Sequence, residues 1–221
     1  VIFSNVSASS SYIVAIANNT NIYYSSDHGT TWTIKTNAGF DSNPKDITYN
    51  SITEEFLIVT STTLHQFNPG TGSFSTLSVG KSGVSSIVCN PKDYMWILCG
   101  DAGLIVYASY KTNVITFTAI TPLTASNIVD VEYNNDEYAA LTLDGYILLS
   151  SDGISWKISP KSIDATKSFY HLSYGVSSYV APSTDGGLYS IKYGSLSDTI
   201  DSALLNNDSI NKYNELSQMR F

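Results

Sequence analysis

Three aspartates, Asp101, Asp144 and Asp185, have the type and spacing best suited to chemistry, because they recur at nearly even intervals along the chain. Carboxylates brought to one rim bind a cation through oxygen or accept hydrogen bonds from sugar hydroxyls. The same residues also serve simple turn chemistry, explicit in Asp144-Gly145 and Asp185-Gly186. Asn19 and Thr62 stand at the corresponding points of two earlier segments. Together these five are the candidate ligand-binding positions.

Other chemistry is scarce. His28, His65 and His171 occupy unrelated contexts without HExxH or paired-Cys spacing, so no metal site is expected. Cys89 and Cys99 fall too far apart on one hairpin for a disulfide and read as two buried free thiols. The only arginine is Arg220, which removes almost every bidentate anion clamp. Ser75–Ser82 imitates the end of a phosphate loop, but strand rather than helix follows it. No catalytic residue and no cofactor are assigned, and the chain reads as non-enzymatic.

Composition points the same way. Eleven basic residues against nineteen acidic ones, a net charge of −8, exclude a phosphate-binding surface, so nucleic acid is not an expected partner. No apolar stretch reaches the roughly 18 residues of a membrane helix, and membrane insertion is not expected. Ser and Thr make up about a quarter of the chain. With 12% aromatic residues, 221 residues suffice for a sizeable core.

The elements that must position the candidate residues come from an internal repeat. Segments containing Ile22, Leu64, Leu104, Tyr146 and Leu188 recur about every 40 to 42 residues, the spacing of propeller blades. Two apolar runs precede each segment, and a fourth run follows four of them. The runs are rich in Ile, Val, Tyr and Thr, with turn residues between them. A single four-stranded sheet cannot bury both faces. Radial stacking of five sheets does so, and ring closure covers most edges.

The expectation is an all-β, five-bladed β-propeller over 1–205, with blades at about 1–36, 44–79, 84–121, 127–160 and 167–205. A C-terminal tail, 206–221, reads as a short helix carrying Ile210, Tyr213 and Leu216 on one stripe. For the fifth blade's outer strand, either Asp198–Ser202 completes the sheet or Val1–Ser4 is lent from the N-terminus.

Ser25-Ser26-Asp27-His28-Gly29-Thr30-Thr31-Trp32 matches S-x-D-x-G-x-T-W, and Ser150-Ser151-Asp152-Gly153-Ile154-Ser155-Trp156 is one residue shorter at the same point of its unit. This pattern resembles the Asp-box of BNR, or sialidase-type, propellers. The motif is a turn staple: its Asp accepts backbone N–H groups, its Gly permits positive φ, and its Trp supplies area to pack between sheets. Ser25, Asp27, Gly29, Trp32, Ser150, Asp152, Gly153 and Trp156 are therefore read as structural. The resemblance stops short of sialidase activity, because Arg220 alone cannot supply the three arginines those enzymes use.

Fold analogy and composition are similar to those of small receptor- or glycan-binding domains of viral proteins. The expected function is non-catalytic recognition of a glycan or protein receptor by an extracellular or virion-surface propeller. An architectural virion or assembly subunit, bound to its fellow subunits, is the alternative. A glycoside hydrolase or lyase using two acids across the ring mouth is a further one.

Overall fold

The computed structural model describes residues 1–36, 39–111, 114–134, 136–159, 162–175, 178–192 and 203–204. They form five four-stranded antiparallel sheets, each running in chain order from its innermost to its outermost strand. The first contains β1 (Phe3–Ala8), β2 (Ile13–Ala17), β3 (Ile22–Ser25) and β4 (Thr33–Lys35). The second contains β5 (Asp46–Asn50), β6 (Glu55–Val59), β7 (Thr63–Phe67) and β8 (Phe74–Ser78). The third contains β9 (Val84–Asn90), β10 (Met95–Gly100), β11 (Ile105–Ser109) and β12 (Phe117–Ala119). The fourth contains β13 (Ile128–Tyr133), β14 (Tyr138–Thr142), β15 (Ile147–Ser150) and β16 (Lys157–Ile158). The fifth contains β17 (Ser173–Gly175), β18 (Ser178–Pro182), β19 (Leu188–Lys192) and β20 (Ala203–Leu204). The arrangement is a five-bladed propeller, as the repeat predicts.

The second strands show why these segments are strands and where they go. Phe56 to Val59, Trp96 to Cys99 and Tyr138 to Leu141 are buried without interruption. A strand packed on both faces carries such a continuous apolar run, whereas one wetted on a single face would alternate. Outer strands such as β8 and β16 are largely exposed and carry Ser, Thr and Lys.

Cores form between sheets. Val14, Ile16 and Ile22 meet Ile47, Phe56 and Ile58 between the first and second. Leu57, Leu64, Val84, Trp96 and Val106 join the second to the third. Ile97, Ile105, Val131, Tyr138 and Trp156 join the third to the fourth. Ala139, Ile147, Phe169, Leu172 and Tyr179 join the fourth to the fifth. Each fully buried side chain of this size contributes about 1.5–3 kcal/mol.

Hydrogen bonds stitch the same boundaries. Asn90 Nδ2 donates to Tyr138 Oη at 2.7 Å, and Asn134 Nδ2 to Tyr179 Oη at 2.8 Å, one sheet further on. At the opposite end of the sheets, the link from second to third sheet crosses so tightly that a Cβ on Gly100 would lie 1.9 Å from the Gly83 carbonyl oxygen. Only glycine fits there.

The first sheet departs from this pattern on its free side. Its only other buried apolar group is Ala15, Ala17 and Tyr23. Phe3, Val6, Trp32 and Ile34 stay exposed, and no core among the described residues joins the fifth sheet to the first. The edge burial expected from ring closure is therefore absent from the described residues.

The fifth sheet takes its outermost strand from Ala203–Leu204, not from the N-terminus, because Phe3–Ala8 is already the innermost strand of the first sheet. Asp198–Ser202 and the tail 206–221 lie outside the described residues. Cys89 and Cys99 are free and buried, as the hairpin spacing predicts.

Candidate functional site

Loops between second and third strands share one face with the links between sheets, and hydrogen bonds lace the two sets together. Asn19 closes its own turn: its Nδ2 donates to Tyr23 Oη at 3.1 Å and its Oδ1 accepts from Asn21 N. Thr62 donates from Oγ1 to Asp41 of the preceding link, and Thr63 Oγ1 donates to the same carboxylate at 3.1 Å. Asp101 opens a single helical turn, Asp101–Gly103, and its N–H donates to the Gly83 carbonyl at 2.9 Å. Asp185 pairs with Lys167 and accepts from Ser183 Oγ at 2.6 Å. These two hydrogen bonds, the lysine first, hold its carboxyl down at about 2. For Asp144 the partial burial that would raise its pKa is outweighed by hydrogen bonds from Thr142 and Ser126, which lower it.

All five candidates thus lie on one face, each tied to its own turn or link. They do not converge on a single point. Apolar side chains are exposed on that face beside the fourth and fifth sheets. Tyr170 is 57% exposed and Leu143 39%. The Phe169 N–H donates to the Leu143 carbonyl at 2.9 Å, which brings the two side chains' segments together. Asp144 follows Leu143, and Asp185 belongs to the loop whose Thr184 N–H donates to Ser168.

A second constellation, in the central channel, escaped the sequence reading. Asn5, Asp46, Ser86 and Asp130 hold the same register on the innermost strands of four consecutive sheets, opposite Ile16, Val59, Cys99 and Leu141. His171 follows from the fifth. Asn5 Nδ2 donates to Asp46 Oδ1 at 2.8 Å. Ser86 Oγ lies 2.7 Å from Asp46 Oδ2 and 2.7 Å from Asp130 Oδ1. His171 Nδ1 lies 2.6 Å from Asp130 Oδ2. One side chain per blade therefore forms a polar girdle, and Asn5, Asp46, Asp130 and His171 of it line a cavity of about 340 Å³ that Glu132 also lines. The carboxylates also reach forward: Asp46 accepts from Ile87 N and Asp130 from Leu172 N, each on the next sheet.

The girdle's electrostatics follow from proton counting. A serine hydroxyl has one proton, so Ser86 can donate to only one of its two carboxylates and is satisfied by both only if the other is protonated. Burial, and then the negative charge of Asp130, push Asp46 up to about 6. Burial, with Asp130 next, pushes Glu132 up to about 7. The hydrogen bond to Asp130 raises His171 despite its partial burial. Among the described residues no three His, Cys, Asp or Glu side chains are grouped to hold a metal. The one signal available in the sequence was a polar residue at a fixed register of each first run, disguised by its being filled by four residue types.

The two turns that resemble each other in sequence are built alike. Asp27 accepts from Thr31 N at 2.8 Å and from Ser25 Oγ at 2.7 Å. Asp152 accepts from Ser155 N at 2.7 Å, Ile154 N at 2.8 Å and Ser150 Oγ at 3.0 Å. Each tryptophan donates from Nε1 to the turn glycine's carbonyl at 3.0 Å. Trp156 packs between the fourth and third sheets, as expected. Trp32 does not pack between sheets: it is 44% exposed, because no neighbouring sheet lies against it among the described residues.

No family model matches the chain, and no curated protein matches it. Among solved structures it is similar to YCF48 from Cyanidioschyzon merolae, with a TM-score of 0.64 and 15% identity over 84% of this chain and 68% of that one. Likeness at this identity shows the propeller fold alone. No helix of the described residues is long and apolar enough to cross a membrane.

Proposed function

We propose that the chain is a non-catalytic recognition propeller of Asp-box type, binding a glycan or protein receptor through the face that carries Asn19, Thr62, Asp101, Asp144 and Asp185. An extracellular or virion-surface setting suits this role. The observation that carries the reading is the exposed Tyr170, which follows the Phe169 whose N–H bonds the Leu143 carbonyl, with Asp144 and Asp185 in adjoining loops. An aromatic face stacks on a sugar or a peptide side chain at low entropic cost, while carboxylates fixed by their own turns accept hydroxyl or amide protons. Asp144 and Asp185 are both held below the ordinary carboxylate range, the wrong direction for a general acid.

Glycan and receptor arrays probed with the full chain, with mass spectrometry of the same glycans, test this reading. Binding without turnover is expected, and Tyr170→Ala should weaken it about tenfold, or roughly 1.4 kcal/mol. Turnover would favour a hydrolase or lyase instead, with Glu132 its first suspect. Absence of any binding would favour an architectural subunit. The apolar free side of the first sheet is the observation that supports that second reading.

A further inference from the structure

The girdle carries side-chain hydrogen bonds across every boundary from the first sheet to the fifth. Asp46 joins three sheets: Oδ1 accepts from Asn5 of the first at 2.8 Å, and Oδ2 accepts from the Ile87 N–H of the third at 2.9 Å. Asp130 Oδ2 accepts from the Leu172 N–H of the fifth at 2.7 Å. The two halves meet at Ser86 Oγ, which lies 2.7 Å from a carboxylate oxygen on either side.

With both carboxylates ionised, one of those two oxygens would face the hydroxyl's lone pairs and a second negative charge within about 5.4 Å. Countercharge is scarce here. The first sheet contributes the uncharged Asn5, and the fourth adds Glu132 to the same cavity. Cys99 of the third stays a neutral thiol, because burial pushes it well above its usual value. Lys45, beside Asp46 in sequence, is exposed. Among the described residues His171 is the one cation paired with these acids, and it holds Asp130 rather than Asp46.

We infer that Asp46 is a proton-operated latch in the channel, shut when it donates a proton to Ser86 Oγ and open when that proton leaves for solvent. In the shut state Ser86 passes its own proton to Asp130, and the bonds run unbroken from Asn5 to Leu172. In the open state the two carboxylates repel across Ser86. Asp46, which lacks a cationic partner, then turns into the cavity of about 340 Å³ and releases Asn5 and the Ile87 N–H. Asp130 stays on His171 and Leu172. Burial, ahead of the charge on Asp130, sets the step at about 6, so the latch opens as pH rises through that value. It lies close under the loops of the candidate face. Val59, opposite Asp46, precedes Thr62 by three residues, and Leu141, opposite Asp130, precedes Asp144 by three. The spacing of the sheets beneath that face thus follows pH, whatever the face binds.

Amide hydrogen exchange and the carboxyl carbon shift of Asp46, both followed by NMR on the full chain from about pH 5 to about pH 8, test this. Asp46 should titrate with a midpoint of about 6. Over the same range, protection of the Ile87 amide should fall about tenfold relative to the amides of β10, which report global unfolding. Leu172 should keep its protection. In Asp130→Asn the new amide can donate to Ser86 Oγ, which leaves the hydroxyl proton for an ionised Asp46. The titration should therefore move to lower pH, and the Ile87 step should vanish. The wild-type measurement stands even where that variant folds poorly. An Asp46 carboxyl already ionised at about pH 5, flat Ile87 protection in the wild type, or a step of equal size in Asp130→Asn would each overturn the inference.

Discussion

The first and fourth sheets carry the same turn, yet their tryptophans have opposite fates. Both turns hold an aspartate that accepts backbone N–H groups, and in both the carboxyl is pulled down to about 2: chiefly by Thr31 for Asp27, chiefly by the Ser155 and Ile154 N–H groups for Asp152. Both indoles donate to the turn glycine at 3.0 Å. Trp156 nevertheless ends 8% exposed and Trp32 44%. The local motif sets the shape of the turn. Burial of the ring is set by the neighbouring sheet, which no residue within the motif encodes.

Tryptophan truncation should separate the two turns most. Trp156→Ala removes a ring held between two sheets and should cost about 3–5 kcal/mol in urea unfolding. Trp32→Ala removes only half-covered area if the groove stays open, and should then cost about 1 kcal/mol or less. A Trp32→Ala cost near that of Trp156→Ala would mean the first sheet is covered in solution. The glycines come next. Gly153→Ala combines positive φ with a Cβ 2.7 Å from Met95 Sδ and 2.8 Å from Ile97 Cδ1, so about 2–3 kcal/mol is expected. At Gly29 φ is also positive but the nearest atoms are 3.9 Å away, so Gly29→Ala should cost only about 1 kcal/mol of backbone strain.

The same contrast explains what was legible in the sequence. Periodicity revealed five sheets because every inter-sheet core needs apolar residues at matching registers, such as Ile22 and Leu64; at Leu104 and Tyr146 the repeat is read one residue early, since Ile105 and Ile147 hold the matching buried register. Turn chemistry was legible because Asp27 and Asp152 bond within a few residues of themselves. The girdle was not. Asn5, Asp46, Ser86, Asp130 and His171 are five positions far apart in sequence, filled by four residue types, and only the register joins them. The exposure of Trp32 was not legible for a related reason, since burial of the ring depends on a neighbouring sheet and not on the motif. Whether Asn19, Thr62, Asp101, Asp144 and Asp185 act on a ligand is a property of the face, and local turns account for their bonds.

Boundaries between sheets offer a smaller test on the filled side of the ring. Asn134→Ala deletes the buried Nδ2 bond to the Tyr179 hydroxyl, for an expected loss of about 1–3 kcal/mol. Combined with Tyr179→Phe, the penalty should shrink, because both partners of the bond are then gone. An additive result in that double-mutant cycle would mean that the Asn134–Tyr179 bond adds nothing to the joining of the fourth and fifth sheets.

Proton linkage gives the finest comparison, because it isolates the staples from the packing. Asp27 and Asp152 have folded-state pKa values below their unfolded ones, so the stability they contribute is present above about 4 and lost as pH falls toward 2. Asp46 and Glu132 are shifted the other way, to about 6 and about 7; their contribution is present at acid pH and is lost as pH rises through those values. His171, raised by its bond to Asp130, acts in the same sense and loses its contribution as pH climbs through its folded value. Melting temperature should therefore peak at about pH 4 to 5 and decline toward pH 8. Asp46→Asn should flatten the alkaline limb. Asp27→Asn and Asp152→Asn should move the acid limb by equal amounts, although the tryptophans beside them differ by several kcal/mol when truncated. Unequal acid shifts would mean that the missing neighbour reaches into the turn itself, and that staple and packing are not separable.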